Sequence, residues 1–159
     1  MGSKLFKKIG FCTDFSENAD QAFSVAKELA VRFEAPIELI HVTASFTLSP
    51  PVHAVYMPVE YDPKFIDEIT TAAMRSIQEK YVEKIPEQVP YNVSVRSGYA
   101  ATEILKVVEE SGIDLLVMGS HGLTGIAHVL FGSTADRVVR RASCSVLTVR
   151  FRISGDEVL

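Results

Sequence analysis

Cysteine is scarce in this chain: two in 159 residues, Cys12 and Cys144, far apart in sequence. With no C-x-x-C pair and no metal-ligand spacing, they exclude a disulfide framework and read as reduced, packed thiols. Basic excess is missing too. Sixteen Lys and Arg stand against twenty Asp and Glu, a formal net charge of -4, so there is no electrostatic footprint for nucleic acid. No apolar run approaches the roughly 20 residues of a membrane span, and the first residues carry no signal-peptide core. Met1-Gly2 starts like a myristoylation signal, but Phe6 stands where Ser or Thr is required. The expectation is a cytoplasmic protein with neither membrane nor nucleic-acid partner. Internal repeats and low-complexity tracts are also lacking. What remains is ordinary globular material, 47% hydrophobic and 23% charged, expected to form a single domain over residues 1–152 with a polar tail at 153–159.

Periodicity then lays out the elements. Leu5–Cys12 reads as a first strand. Ser16 is a good N-cap for a helix whose apolar stripe is Ala19, Ala22, Phe23, Ala26, Leu29, Ala30 and Phe33. Pro36 ends it, and Ile37–Val42 is a second strand. From Thr43 to Asp62 the pattern dissolves into Pro, Ser and aromatic residues, a loop long enough to be functional. Pro63 opens a helix with Phe65, Ile69, Ala73, Ile77 and Tyr81 at four-residue steps. Tyr91–Arg96 alternates like an edge or half-covered strand. A short helix through Ala101, Ile104, Leu105 and Val108 is stopped by Gly112. Ile113–Val117 and Ser145–Arg150 are the last two strands, with a helix from Ser133 between them. Five strands alternating with four helices predict an α/β fold: one open, twisted, parallel five-stranded sheet with helices on both faces. Ligands of such sheets bind beyond the carboxyl ends of the strands, where strand order reverses. Asp14, just past strand one, and Gly119, just past strand four, share that crevice if the two strands are neighbours.

The most informative stretch runs from Met118-Gly119-Ser120-His121-Gly122 to Gly132-Ser133-Thr134. A strand, a glycine-punctuated loop and a helix start can cradle phosphate, because glycines admit close backbone approach and the first helical amides lack partners. No Gly-Lys-[Ser/Thr] makes it a Walker A loop, and G-x-G-x-x-G is absent. The spacing is Gly119-x2-Gly122-x9-Gly132-Ser133, in which the nine intervening residues form an excursion that returns the chain to its starting point. The plainer alternative is a loop rich in glycine only because it turns twice.

These residues, with Cys144–Val149, Asp14-Phe15-Ser16 and His41-Val42, closely resemble the universal stress protein family, whose ATP-binding branch carries G-2x-G-9x-G-[ST]. The resemblance covers nearly the whole chain outside the 43–62 loop and the tail. It implies a Rossmann-like fold of the adenine nucleotide alpha hydrolase-like kind. It also implies that Asp14 holds ribose or adenine beside the backbone of Cys12 and Thr13, and that the main chain of Val42 meets adenine. Gly119, Gly122, Gly132, Ser133 and Thr134 match ribose and phosphate contacts, with Met118, Ser120 and His121 in the same loop. The implied ligand is ATP (or AMP or ADP), with Mg2+ or Mn2+ bridging the phosphates. Cys12 stands where the family often has proline.

Bland readings stand beside each of these. Asp14 could cap the first helix with Ser16; His121 could bond within its loop, and no acid sits beside it in sequence to make it a base. His41 reads as a packed core histidine and Cys12 as a buried, inert thiol. Arg137, Arg140 and Arg141 would offset the last helix's C-terminal dipole, with Arg137 near enough to approach a phosphate. No catalytic residue and no protein-made metal site are expected. Leu147, Val149 and Phe151 form an apolar face on an edge strand, which invites pairing unless Arg150 and Arg152 protect it; the family pairs this strand, so a homodimer through 145–151 is expected. The functional expectation is an ATP-binding, nucleotide-dependent stress sensor or adaptor with at most slow hydrolysis. The alternatives are a phosphotransferase or hydrolase acting under the 43–62 loop, and a nucleotide-free dimeric adaptor.

Overall fold

The computed structural model describes residues 5–44, 63–121 and 132–150. Within them the strands β1 (Ile9–Thr13), β2 (Ile37–Ala44), β3 (Tyr91–Gly98), β4 (Leu115–Gly119) and β5 (Ser145–Val149) alternate with the helices α1 (Glu17–Phe33), α2 (Pro63–Lys80), α3 (Ala100–Ser111) and α4 (Ser133–Arg141). The strands form one wholly parallel sheet in the order β3-β2-β1-β4-β5. This is the expected α/β fold. The chain winds outward from β1 to β3, then crosses back to lay β4 on the other side of β1, where Cys12 pairs with Met118. β1 and β4 are therefore the neighbours at the reversal point.

Both faces are covered, as the apolar patterns require. Ile9, Phe11, Ile37 and Leu39 pack against Ala19, Ala22, Phe23, Ala26 and Ala30 of α1 and Ile77 of α2. Cys12, Ile40, Leu116 and Met118 meet Ile104, Val107 and Val108 of α3 and Ala135 and Val138 of α4. Phe11 is wholly buried, and a side chain buried like that contributes roughly 1.5–3 kcal/mol. Ser16 caps α1 by accepting the Ala19 N–H at 3.2 Å, and Gly112 closes α3 in the left-handed region at φ 64°.

Several boundaries move. β1 begins at Ile9 rather than Leu5, because the Asp114 carboxylate takes the Lys7 and Lys8 amides at 2.8 and 3.1 Å before the ladder starts. β2 runs on to Ala44, so Thr43 belongs to a strand, its hydroxyl donating to Arg96 O at 3.1 Å. β4 starts at Leu115 and reaches Gly119. α2 stops at Lys80, and Tyr81 leads into a 3-10 turn over Val82–Lys84. The expected loop at 45–62, the residues of the 122–131 excursion and the tail from 151 lie outside the described residues.

At the amino ends of the strands, Glu38 of β2 is fully buried. Its Oε1 accepts from Asn92 Nδ2 and Ser94 Oγ, each at 2.7 Å. Lys8 Nζ stands 3.0 Å from Oε2, an ionic contact outside hydrogen-bond geometry.

Candidate functional site

A cleft of about 280 Å³ opens beyond the carboxyl ends of β1, β2 and β4, at the position the strand reversal dictates. Its lining includes Cys12, Thr13, Asp14, Val42, Met118, Gly119, Ser120, His121, Gly132, Ser133 and Thr134. Of the residues expected to contact nucleotide, Gly122 lies outside the described residues; Arg137 and His41, singled out for other reasons, are not in the lining. Ala19, Ile40, Ala100, Ile104 and Ala135 complete the wall. Ala19, Ile40 and Ile104 were legible as helix or strand positions but carried no signal that they line a cleft; Ala100 and Ala135 were not singled out.

The cleft has two chemically distinct parts. Cys12, Ile40, Val42, Ala100, Ile104 and Met118 make an apolar pocket between the sheet and α3. The start of α4 lines the same cleft. Ser120 leaves β4 buried, its amide donating to Val149 O at 2.9 Å. Its carbonyl accepts the Gly132 N–H at 2.8 Å, so the excursion does close on itself. Gly132 is then an extended N-cap with no side-chain capping bond. The Asp136 amide is the first in α4 to find an intrahelical acceptor, Gly132 O at 3.0 Å. The amides of Ser133, Thr134 and Ala135 thus have no intrahelical partner and carry the positive end of the helix dipole. α3 also begins beside the cleft, with N-cap Tyr99 making no side-chain capping bond.

Gly119 owes its glycine to packing as much as to the loop. A Cβ there would stand 3.1 Å from the Asn18 carbonyl carbon and 3.2 Å from His121 O, so the close approach of α1 to the end of β4 needs the bare backbone. His121 does bond within its loop: Nδ1 lies 2.9 Å from Ser120 Oγ. Asp14 Oδ1 accepts the Ser16 amide at 3.0 Å, while Ser16 itself caps α1. Asp14 therefore builds the turn before the helix and lines the cleft at once.

That turn is held from the opposite face. Phe15 has φ 64°, a left-handed conformation unusual for a bulky residue and worth roughly 1–3 kcal/mol of strain. Its amide donates to Thr13 Oγ1 at 2.9 Å, and its carbonyl accepts from Lys80 Nζ at 2.9 Å. Thr13 Oγ1 lies 2.8 Å from the Tyr81 hydroxyl, which donates to Asp20 Oδ1 at 2.8 Å. Since the single phenolic proton goes to Asp20, the threonine hydroxyl is the donor to Tyr81. Burial pushes the Tyr81 phenol above its ordinary range, which keeps that proton in place. His41 Nδ1 donates to Thr13 O at 2.8 Å, with its ring 4.5 Å from that of Phe15. His41 is the packed histidine expected, though mid-strand and only half-buried. Tyr81, Lys80 and Asp20 were missed as site-supporting residues; Tyr81 read only as the last apolar position of a helix.

Cys12 is buried, and burial foremost, with Cys144 nearby, pushes its thiol above the ordinary range. It is a wall, not a nucleophile. On α4, Arg140 Nε reaches both Asp136 oxygens at 2.9 and 3.1 Å, and Arg137 lies 4.9 Å over the Tyr99 ring.

With this geometry in place, comparison with known proteins is direct. The model of the universal stress protein family matches residues 5–150, and the chain belongs to that family. It is 34% identical over 151 residues to universal stress protein MJ0531 of Methanocaldococcus jannaschii, covering 94% of this chain and 85% of that one. The solved universal stress protein UspA from Lactobacillus plantarum superposes with a TM-score of 0.70 at 25% identity, covering 91% of this chain and 97% of that one. Two more distant structures share the fold. A universal stress protein in complex with cAMP has a TM-score of 0.63 at 21% identity, covering 91% of this chain and 97% of that one. One from Archaeoglobus fulgidus in complex with dAMP has a TM-score of 0.58 at 15% identity, covering 92% and 99%.

Proposed function

We propose that this universal stress protein binds an adenine nucleotide, ATP first among the candidates, and acts as a nucleotide-dependent sensor or adaptor in the cytoplasm. The observation that carries this reading is the juxtaposition in one cleft of an apolar wall and the uncapped start of α4. The base lies against Ile40, Val42 and Ile104, Asp14 takes the ribose, and the phosphates meet the amides and hydroxyls of Ser133 and Thr134. Complexes of related folds with cAMP and dAMP support an adenine ligand. No group of three or more His, Cys, Asp or Glu able to hold a metal lies among the described residues. A Mg2+ or Mn2+ ion would accordingly travel with the phosphates. Asp14 and His121 are both engaged in building turns, so any hydrolysis is slow.

The exposed edge of β5 favours a symmetric dimer. Leu147 is 38% exposed at the outer end of the sheet, and a second copy pairing there would cover it.

Two measurements test the nucleotide reading. Protein purified without added nucleotide and then denatured should release ATP, ADP or AMP; none at high purity favours the nucleotide-free adaptor. Gly132→Val should abolish ATP binding in calorimetry with the fold intact, because φ -67° and ψ 159° suit any residue. Undiminished affinity in the folded variant would sink the proposal, and rapid turnover of labelled ATP by the wild type would move it to the enzyme class.

A further inference from the structure

Of the arginines on α4, Arg140 is paired with Asp136, and Arg141 lies in the last turn, where it answers the helix's negative end. Arg137 is different. It is exposed and meets no carboxylate among the described residues; its guanidinium lies over the Tyr99 ring instead. Asp136, its immediate neighbour, turns to Arg140 and leaves this charge unanswered.

Position gives the charge a use. Arg137 follows Ser133 by four residues and Thr134 by three, so it shares their side of α4. Helical side chains lean towards the N-terminus, which carries the guanidinium back over the turn bearing Ser133 and Thr134. Tyr99, the N-cap of α3, holds it from the neighbouring helix, and the next residue, Ala100, lines the cleft. The cleft itself contains no lysine or arginine among its described lining residues, and Asp14 adds a negative charge. Amides and hydroxyls at one helix start suffice for a first phosphate. Each further phosphoryl group brings charge that this lining does not neutralise.

We propose that Arg137, held by Tyr99, is the residue by which this cleft distinguishes nucleoside di- and triphosphates from monophosphates. The inference rests on the nucleotide reading above and names the ligand class within it: a nucleotide with a phosphate chain long enough to leave the amide cradle and reach the guanidinium.

The test is calorimetric titration of AMP, ADP and ATP, with and without Mg2+, into wild type, Arg137→Ala, Arg137→Lys and Tyr99→Ala. Circular dichroism checks that each variant is folded. Losing a charge-assisted contact at a partly solvated site should weaken ATP binding about tenfold in Arg137→Ala. AMP affinity should stay within about twofold, since its phosphate sits on backbone amides. Arg137→Lys should recover part of the ATP affinity, and Tyr99→Ala should lose about threefold on ATP only, through misplacement of the guanidinium. Equal losses for AMP and ATP, or no loss for either, would overturn the role of Arg137 while leaving nucleotide binding standing. A wild type that binds none of the three would overturn both.

Discussion

The two ends of the sheet are built from similar groups arranged to opposite purposes. At the amino ends, polar groups close on one another. Asp114 takes two backbone amides from the segment entering β1, Glu38 gathers Asn92, Ser94 and Lys8, and the Ile9 and Ile37 amides go to Pro36 O and Pro90 O. At the carboxyl ends the same kinds of group face outward. The amides starting α4 have no partner in their helix, and a left-handed Phe15 is held in place by Lys80 of α2 and by Thr13, which Tyr81 and Asp20 anchor in turn. A closed polar end stabilises; an open one costs stability and leaves donors for a ligand. Parallel strands make this division natural, since every helix of a β-α unit starts near a carboxyl end and points its positive dipole there.

Breaking the closed end should have the largest effect. Glu38→Ala removes a fully buried carboxylate, leaves a cavity and takes away the acceptor shared by Asn92 and Ser94. Chemical denaturation should show a loss of about 3 kcal/mol, while nucleotide affinity of the folded fraction stays within about twofold because the cleft lies at the other end. An affinity loss matching the stability loss would show that the two ends are not separable.

Tyr81→Phe probes the open end with a smaller expected effect. The ring and its packing on Phe11 and Phe23 remain; what goes is the hydroxyl linking Thr13 to Asp20. Stability should fall by about 1 kcal/mol, with ATP binding weakened about threefold to tenfold as the Thr13–Phe15 turn loosens. Amide exchange at Phe15 and Ser16 would report that loosening directly, and protection there equal to wild type would refute the role given to Tyr81.

The smallest effect is one of pH. Cys12 is neutral and buried, with its thiol pushed above the ordinary range, and Cys144 is shifted the same way by partial burial. Their contribution is complete below the unfolded thiol value of about 8.5 and is lost as pH rises above it, because only the unfolded chain exposes the thiolate. Per buried thiol the slope is at most about 1.4 kcal/mol per pH unit. Denaturation midpoints at pH 7 and 8 should nearly agree with regard to this residue, with a decline setting in by pH 9.5. Cys12→Ala should flatten that decline; an unchanged decline would assign it to other groups.

Much of the architecture was legible because it rests on local rules. Ser16 reads as a cap and is one; Gly112 reads as a stop and takes the left-handed conformation a stop requires; the apolar stripe of α1 lies on the sheet face its period predicts. The candidate site was legible as separate pieces, among them Asp14, Val42 and Gly132-Ser133, since each lies towards or beyond the carboxyl end of a strand or opens a helix. Boundaries slipped where a distant group intervened, as when Asp114 captured the amides of Lys7 and Lys8. Nothing local to Tyr81 marks it as a support for Thr13, 68 positions away, and a glutamate between Ile37 and Leu39 gives no warning that it will be buried and contacted by Lys8, Asn92 and Ser94.

The sequence by itself determined the elements, their caps and the loop that offers its amides, because periodicity, glycine and helix-start chemistry act over a few residues. Only the tertiary structure decided that β4 returns beside β1, that Tyr81 and Lys80 brace the turn at Asp14, and that Arg137 of α4 meets Tyr99 at the start of α3. Those contacts join segments whose separation along the chain carries no local energetic signature; they exist only once the sheet has brought its strands into register.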